Sequence, residues 1–561
     1  MALFRCFLRL LYFLDYFSIK FNFFRQKFAF VKNVCYNCVI KKSAKARKGG
    51  FLMNKFAKLL GYDPKEKQTN VKTEVVAGIV TFLAMSYILT VNPNQILFAG
   101  VMGPLGPTFT PTDNVLWSSI FIATALGAII GTLLMAFLAK MPLAQASGMG
   151  LNSLVGSSIG GGAGLFSYVF EFTVGQAFMM VLISGVIFLL LSTVKIAGKS
   201  IREMIFDGMP VAVRGAISVG IGLFIAFIGF QNAKVIVDNP YTLVDLVAFS
   251  KYDINVANAA VCIFGLIVIA VLEQLKVKGS VIIGILAATV LGIPLGVTNL
   301  NMITGTEAGV SWKFWENFGN FFSVGEESVF GSFVTIFKDG FPAGSIFTVI
   351  MLIITMCMID MFDTMGTIVG CCGGNRILSD ENNKPHNYDK IMMSDAIATC
   401  TGAMLGTSTV TTFVEAGAGV SAGGRTGLTA LTTAAMFFLS MFLLPVFATI
   451  PSAAAASALV YVGVLMMKNN VQAIDFSDAI NATSAFLTIA VMVLSYSITK
   501  GIGIGIVVYT LLSVITYAVK AIVYACKKDK ANAEKPVWNV HVVTLIITAL
   551  FLVYFLVPTV L

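Results

Sequence analysis

Apolar blocks of about twenty residues recur along this chain, and they exclude most of the folds otherwise open to it. VLWSSIFIATALGAIIGTLLMAFLA at 115–139 and VGQAFMMVLISGVIFLLLSTV at 174–194 are two examples. A helix needs roughly 20 apolar residues to cross a hydrocarbon core, whereas outer-membrane strands alternate apolar and polar over about ten. These blocks do not alternate, so the spans are helical. The chain is also 57% hydrophobic and only 12% charged, against roughly 25% charged in soluble domains. A soluble core cannot hold that much apolar surface, and the expected class is an all-α polytopic membrane protein.

The formal net charge of +10 invites nucleic acid as a partner, but its location argues otherwise. Eleven of the 38 Lys/Arg and one of the 28 acids, Asp15, fall in residues 1–52, which leaves 27 of each from Met53 onward. The body is neutral, and no nucleic-acid partner is expected. The basic leader is broken by Arg or Lys every few residues and lacks the apolar core and small-residue cleavage site of a signal peptide. A bacterial gene encoding Lys48-Gly49-Gly50 can read AAA-GGA-GG, a ribosome-binding sequence just ahead of the codon for Met53. We therefore expect translation to start at Met53, with 1–52 a mis-assigned extension; an intact mass that includes residues 1–52 refutes this. The competing reading is an amphipathic basic anchor on the membrane surface. Of nine cysteines, Cys35/Cys38 form a lone CxxC and Cys371/Cys372 are adjacent. Neither pair has a His or second pair nearby to complete a metal site, so no metal is expected.

Apolar blocks read against their breakers give spans at 74–92, 115–139, 142–160, 171–194, 209–235, 257–275, 278–298, 345–369, 392–407, 408–423, 426–449, 452–468, 474–498 and 501–525. With these fourteen spans, Lys140, Lys195, Arg202, Lys276, Arg376, Arg425 and Lys468 all fall on one side, together with the start of the body. Loop 93–114 has no Lys or Arg, and 299–344 is net acidic. The positive-inside rule then puts the amino terminus in the cytoplasm of a multi-pass inner-membrane protein. Trp538–Leu561 is long enough for another span, but it follows the basic run KKDKANAEK, and spanning and re-entrant readings both stand.

Two spans depart from the pattern in a matched way. The third, MPLAQASGMGLNSLVGSSIGGG, and the tenth, TSTVTTFVEAGAGVSAGGRTG, are rich in Gly, Ser and Thr where a lipid-facing helix is rich in Leu and Ile. Each reads as a short extended stretch leading into a half-helix, which a membrane tolerates where backbone is buried in protein or lines a cavity. They stand at corresponding places in spans 1–7 and 8–14, and KGSVIIGILAATVLGI at the seventh span echoes KGIGIGIVVYTLLSVI at the fourteenth. The expectation is a 7+7 inverted repeat with its binding site at the interrupted spans.

Ionisable side chains inside the spans are few, and each costs roughly 2.5–3.5 kcal/mol at mid-membrane on insertion scales. Asp360 and Asp363 are three residues apart in the eighth span and so are expected on one helical face, toward one cavity. Glu415 sits where TSTVTTF gives way to helix, with Gly417 and Gly419 beside it, and is read either as a helix cap or as a ligand group. Asn152 in GMGLNS is read either as a turn residue or as a binding amide. An amide plus carboxylates suits a planar ligand with N–H donors and ring acceptors. The same carboxylates can take up a proton as the ligand enters and release it afterwards, and sodium would use the same oxygens. A hydrolase is excluded on inventory, because the two histidines, His386 and His541, are remote from these acids; no phosphate-binding loop is present either.

The runs TEVVAGIVTFLAMSYILTVNPNQIL, ASGMGLNSL, IDMFDTMGTIVG, GTSTVTTFVEAGAGVSAGGRTGLTAL and VGVLMM, spread from residue 73 to about 468, resemble the AzgA-like adenine/guanine/hypoxanthine permeases of the xanthine/uracil permease superfamily. The resemblance implies fourteen helices in a core domain of spans 1–4 and 8–11 and a gate domain of spans 5–7 and 12–14. The parts are then 53–195 and 345–449 (core), 196–298 and 450–526 (gate), an extracellular loop 299–344, and a terminal segment 527–561. By the same resemblance Asn152, Asp360 and Glu415 match purine-binding positions, Asp363 assists binding or coupling, and Phe413 and Val414 supply ring contact and a backbone group. It implies proton symport, with Asp363, Asp360 and Glu415 as coupling residues and the proton gradient in place of any cofactor. It also implies a homodimer joined through the gate domain in the lipid bilayer. Ser147 stands where the family usually has Pro, and AGAG follows Glu415 in place of SAAG. These departures touch packing and bear on which base is preferred.

The leading expectation is import of a purine nucleobase by proton symport and alternating access, by a transporter rather than an enzyme. The alternatives are a uracil/xanthine-type permease, an inorganic anion transporter of sulfate-permease-like architecture, and a channel. The acids in the spans disfavour the anion carrier.

Overall fold

The computed structural model describes residues 58–63, 66–97, 115–158, 172–196, 199–202, 204, 209–239, 241, 243–250, 252–277, 279–300, 303, 310–322, 340–341, 346–372, 377–379, 385–495, 498–526, 537–538 and 540–556. The expected extension 1–52 and most of the loop 299–344 lie outside them.

The first apolar run makes α1 (Val71–Met85), opened by Asn70, whose Oδ1 accepts from the Thr73 amide at 2.9 Å, and α2 (Ile88–Ile96), which continues past Ser86 and Tyr87. Next, α3 (Val115–Leu134) ends in a π turn, Met135–Ala139, closed by Lys140 in the left-handed conformation. The Gly/Ser-rich third segment then folds as a three-residue strand, β1 (Gln145–Ser147), followed by the ten-residue α4 (Met149–Ser158). A capping box opens α5 (Val174–Thr193): the Thr173 hydroxyl accepts from the Gln176 amide while the Gln176 side chain accepts from the Thr173 amide. A short hairpin, β2 (Lys195–Ile196) and β3 (Lys199–Ser200), leads toward α6 (Val211–Asn232). A second hairpin, β4 (Ile236–Asn239) and β5 (Leu243–Leu246), precedes α7 (Ile254–Gln274) and α8 (Ser280–Gly292).

In the second half a nine-residue helix, α9 (Phe314–Phe322), packs an aromatic face inward, with Phe314 4.6 Å from Phe442 between ring centroids. The acid-bearing α10 (Ile346–Cys372) and α11 (Tyr388–Leu405) follow. The tenth segment repeats the form of the third: a strand, β6 (Val410–Thr412), then a six-residue helix, α12 (Ala416–Ser421). After it come α13 (Gly427–Ser440), α14 (Leu444–Ala448), α15 (Ser452–Asn470), α16 (Ala479–Leu494), α17 (Ile498–Cys526) and α18 (Val542–Leu556). The last helix lies on α17, where the Thr510 and Thr548 hydroxyls are 2.7 Å apart.

Among the described residues seven segments are long and apolar enough to cross a membrane, and five shorter apolar helices accompany them. The outer surface is apolar: Leu511, Ile515, Val519 and Ile522 form an exposed stripe on one face of α17, unfavourable in water and compatible with lipid. The interior, largely apolar, also holds many polar side chains, with Thr81, Asn92, Thr124, Gln145 and Ser147 all buried. Buried polar groups require partners, and Asn92 finds two, donating from Nδ2 to Thr124 Oγ1 at 2.6 Å and Thr407 Oγ1 at 2.8 Å. This is a mostly helical, multi-pass membrane fold.

The helices form two groups. In one, α6 packs against α15, α16 and α17, while α7 and α8 pack against α15. The α6–α15 crossing depends on absent side chains, since a Cβ on Gly463 would lie 2.4 Å from the Gly222 carbonyl oxygen. In the other, α11 packs on α5 and α3, α13 on α1 and α3, and α12 on α1. Gly419 permits the last contact, because a Cβ there would fall 2.0 Å from Thr81 Oγ1. The antiparallel pair β1–β6, with Gln145 opposite Thr412 and Ser147 opposite Val410, is wholly buried within this second group.

Candidate functional site

The two interrupted segments turn from strand to helix close together, because β1 and β6 pair in antiparallel register just before α4 and α12 begin. A backbone group in a strand needs a partner; the ladder pairs the groups that face each other, while Thr132 Oγ1 accepts from the Gln145 amide at 3.1 Å and Thr399 Oγ1 donates to the Val410 carbonyl at 3.3 Å, which together offset the cost of unwinding these segments. Ser147 Oγ and Thr407 Oγ1 add a side-chain bond of 2.6 Å across the pair.

A cavity of about 80 Å³ opens where these turns face the other helix group. The interrupted segments contribute Met149 and Gly150 from the start of α4 and Thr412–Phe413–Val414–Glu415 between β6 and α12. On α10, Asp363 and Thr367 lie one turn apart and both line it. The opposite wall is mostly apolar: Ser218, Ile221 and Ile225 of α6, and Val462 and Met466 of α15. The cavity therefore has a carboxylate-and-hydroxyl side and an aliphatic, thioether side. Such a site matches a flat ligand with polar edges and an apolar face.

Glu415 is 7% exposed and stands at the N-cap position of α12, but its side chain makes no capping bond. Instead it accepts a hydrogen bond from Tyr87 Oη at 2.5 Å. The cap reading of Glu415 thus does not describe its side chain. Phe413 and Val414 reach the cavity, and their carbonyls are approached from behind by the Cys371 thiol, at 3.4 Å for Val414.

Asp360 and Asn152 are placed differently. Asp360 is buried and accepts from Thr399 Oγ1 at 2.9 Å through Oδ2, and it is not among the lining residues. Its other oxygen, Oδ1, has no partner among the described residues. Asn152, fully buried, accepts from Ser408 Oγ and donates to Gln95 Oε1 at 3.2 Å, joining α4 to the residues before β6 and to α2. The structure brings Asp363, Phe413, Val414 and Glu415 onto one cavity and sets Asp360 and Asn152 one layer behind it.

That second layer contains residues the sequence did not single out. Asp395 on α11 is buried and accepts from Gln145 Nε2 at 3.0 Å, Thr364 Oγ1 at 2.7 Å and Thr412 Oγ1 at 3.3 Å. It thereby ties both strands to α10 and α11. Arg202, which charge counting places in a loop, is 1% exposed. Its Nη2 lies 3.9 Å from Asp395 Oδ2 and its guanidinium carbon 4.0 Å from the Phe188 ring centroid. One sign was available: Asp395, like Asp360, is an acid within an apolar segment. Tyr87 gave no comparable sign.

Residues 72–504 match the Xan_ur_permease model, described as a permease family. The adenine permease AdeP of Escherichia coli is 34% identical over 80% of this chain and 89% of its own length. The guanine/hypoxanthine permease PbuO of Bacillus subtilis is 35% identical over 80% of this chain and 93% of its own. Among solved structures, the transmembrane domain of the cyanobacterial bicarbonate transporter BicA superposes with a TM-score of 0.53 at 14% identity, covering 78% of this chain and 98% of that domain. At that identity the likeness concerns fold alone. The chain belongs to the xanthine/uracil permease family, as its motifs implied, and is a multi-pass membrane permease rather than an enzyme.

Proposed function

We propose that this permease imports purine nucleobases, adenine or guanine/hypoxanthine, by proton symport through alternating access. The observation that carries the reading is the cavity between the two helix groups, where Glu415 and Asp363 stand on the polar side and Phe413 beside them. A carboxylate accepts from adjacent N–H groups of a base edge, and an aromatic ring packs on its face. The named functions of AdeP and PbuO support the same substrate class. In this reading Glu415, Asp363, Phe413 and Val414 meet the base, while Asn152 and Asp360 act through the residues they hold. Glu415, Asp363 and Asp360 carry the coupling proton; sodium would use the same oxygens.

The same proposal takes the chain as fourteen spans in two inverted repeats of seven in the inner membrane, amino terminus in the cytoplasm. The core domain is 53–195 with 345–449, the gate domain 196–298 with 450–526, and homodimers form through the gate. Alternating access is then movement of one helix group against the other around the cavity. An inorganic anion carrier has a precedent in the fold of BicA, but two carboxylates facing the cavity would repel an anion.

Uptake of labelled adenine, guanine, hypoxanthine and uracil by cells expressing the chain tests this. The expected result is uptake of at least one purine, collapsed by a protonophore in sodium-free buffer. Failure of every purine to enter or compete rejects the purine reading, and protonophore-insensitive, sodium-dependent uptake rejects proton coupling.

A further inference from the structure

Glu415 faces two ways. One side of its carboxylate lies on the cavity; the other meets a tyrosine from a distant part of the chain, whose hydroxyl donates to Oε1 at 2.5 Å. Tyr87 stands at the junction of α1 and α2, is 1% exposed, and is not among the cavity-lining residues. It therefore approaches Glu415 from the protein side. Its hydroxyl oxygen is also 3.8 Å from Sδ of Met149, the first residue of α4 and itself a lining residue. A single phenol thus touches Met149, which opens α4, and Glu415, the N-cap residue of α12.

The chemistry of the two groups makes the division of labour specific. A phenol has one O–H to give, and an ionised carboxylate has two oxygens to receive. Bonding Oε1 to Tyr87 fixes the carboxylate plane and leaves Oε2 for a ligand. Glu415 makes no capping bond to its helix, and apart from its own backbone N–H the phenol is the group that orients it. A flexible glutamate at a helix start has several staggered rotamers, and only those aimed at the cavity bind. The phenol thus removes an ordering cost that the ligand would otherwise have to overcome.

We propose that Tyr87 is a positioning residue of the transport site, holding Glu415 through Oε1 so that its second oxygen meets the nucleobase N–H. This rests on the reading of Glu415 as a base-binding residue. Tyr87 touches Glu415 and not the ligand, so its effect belongs in ligand affinity rather than in translocation.

The test uses the full chain in membrane vesicles, with uptake of the labelled purine that the wild type transports, normalised to inserted protein. Tyr87→Phe keeps the ring and removes one oxygen. Its KM should rise about tenfold, the factor expected for one hydrogen bond to a charged group, with Vmax within about twofold of wild type. A purely structural role would instead lower inserted protein or Vmax and leave KM alone. Tyr87→Met, also lacking the donor, gives the same reading if Tyr87→Phe inserts poorly. Glu415→Asp withdraws the carboxylate by one carbon from the phenol; in that background Tyr87→Phe should add little. A wild-type KM in whichever Tyr87 variant inserts, or full additivity with Glu415→Asp, overturns the proposal while purine uptake by the wild type still stands. No purine uptake by the wild type rejects the function on which it rests.

Discussion

Replacing Glu415 by Gln abolishes base uptake in a protein that still reaches the membrane in normal amount. The two side chains have nearly the same shape, and the glutamine carbonyl can still accept from Tyr87, so packing around α12 is retained. The face turned to the cavity changes from acceptor to N–H donor. A base presenting N–H there meets a donor against a donor, and a polar site left unpaired discriminates by orders of magnitude. The variant also cannot carry a proton. Together these predict a loss of at least about 100-fold in uptake per inserted molecule. Labelled-base uptake with immunodetection of the membrane fraction measures it, and near-normal transport removes Glu415 from the site.

Arg202→Met should have the largest effect on stability. Arg202 and Asp395 are both essentially inaccessible, at 1% and 0% side-chain exposure, and the guanidinium lies against Phe188. Taking away one partner of a buried ion pair leaves a desolvated charge and typically costs about 3–5 kcal/mol. The damage would spread to the cavity, because Asp395 also accepts from Gln145 on β1 and Thr412 on β6. We expect a lower thermal midpoint in detergent and less protein in the membrane. Arg202→Met combined with Asp395→Asn removes the stranded charge and should recover much of the loss, since coupled residues are non-additive. Simple addition of the two single effects would show that the pair is not coupled.

What could be read from the sequence follows from the range of the interactions involved. The strand-then-helix form of the third and tenth segments was legible, because Gly, Ser and Thr in place of Leu and Ile is a local signal. Glu415 and Asp363 were legible because an acid inside an apolar run is conspicuous. Asp360 and Asp363 share a face only in part. Three residues of helix leave side chains about 60° apart, enough for one to reach Thr399 and the other the cavity. The burial of Arg202 is not visible in the sequence, because charge counting registers position along the chain and not burial. Tyr87 was invisible for a different reason: an aromatic in a span counts as apolar, and its partner is 328 positions away. The role of Asn152 in joining α4 to α2 and to the residues before β6 likewise depends on Gln95 and Ser408, neither of them a sequence neighbour.

The proposed occupant of the cavity bounded by Glu415, Asp363 and Phe413 is a purine base. Equilibrium binding of labelled adenine, guanine and hypoxanthine to the purified full chain in detergent tests it most directly. The expected result is saturable binding of at least one of them, displaced by unlabelled purine, unaffected by bicarbonate or sulfate, and lost in Glu415→Gln. Binding that survives Glu415→Gln unchanged, or that inorganic anions displace and purines do not, would contradict it.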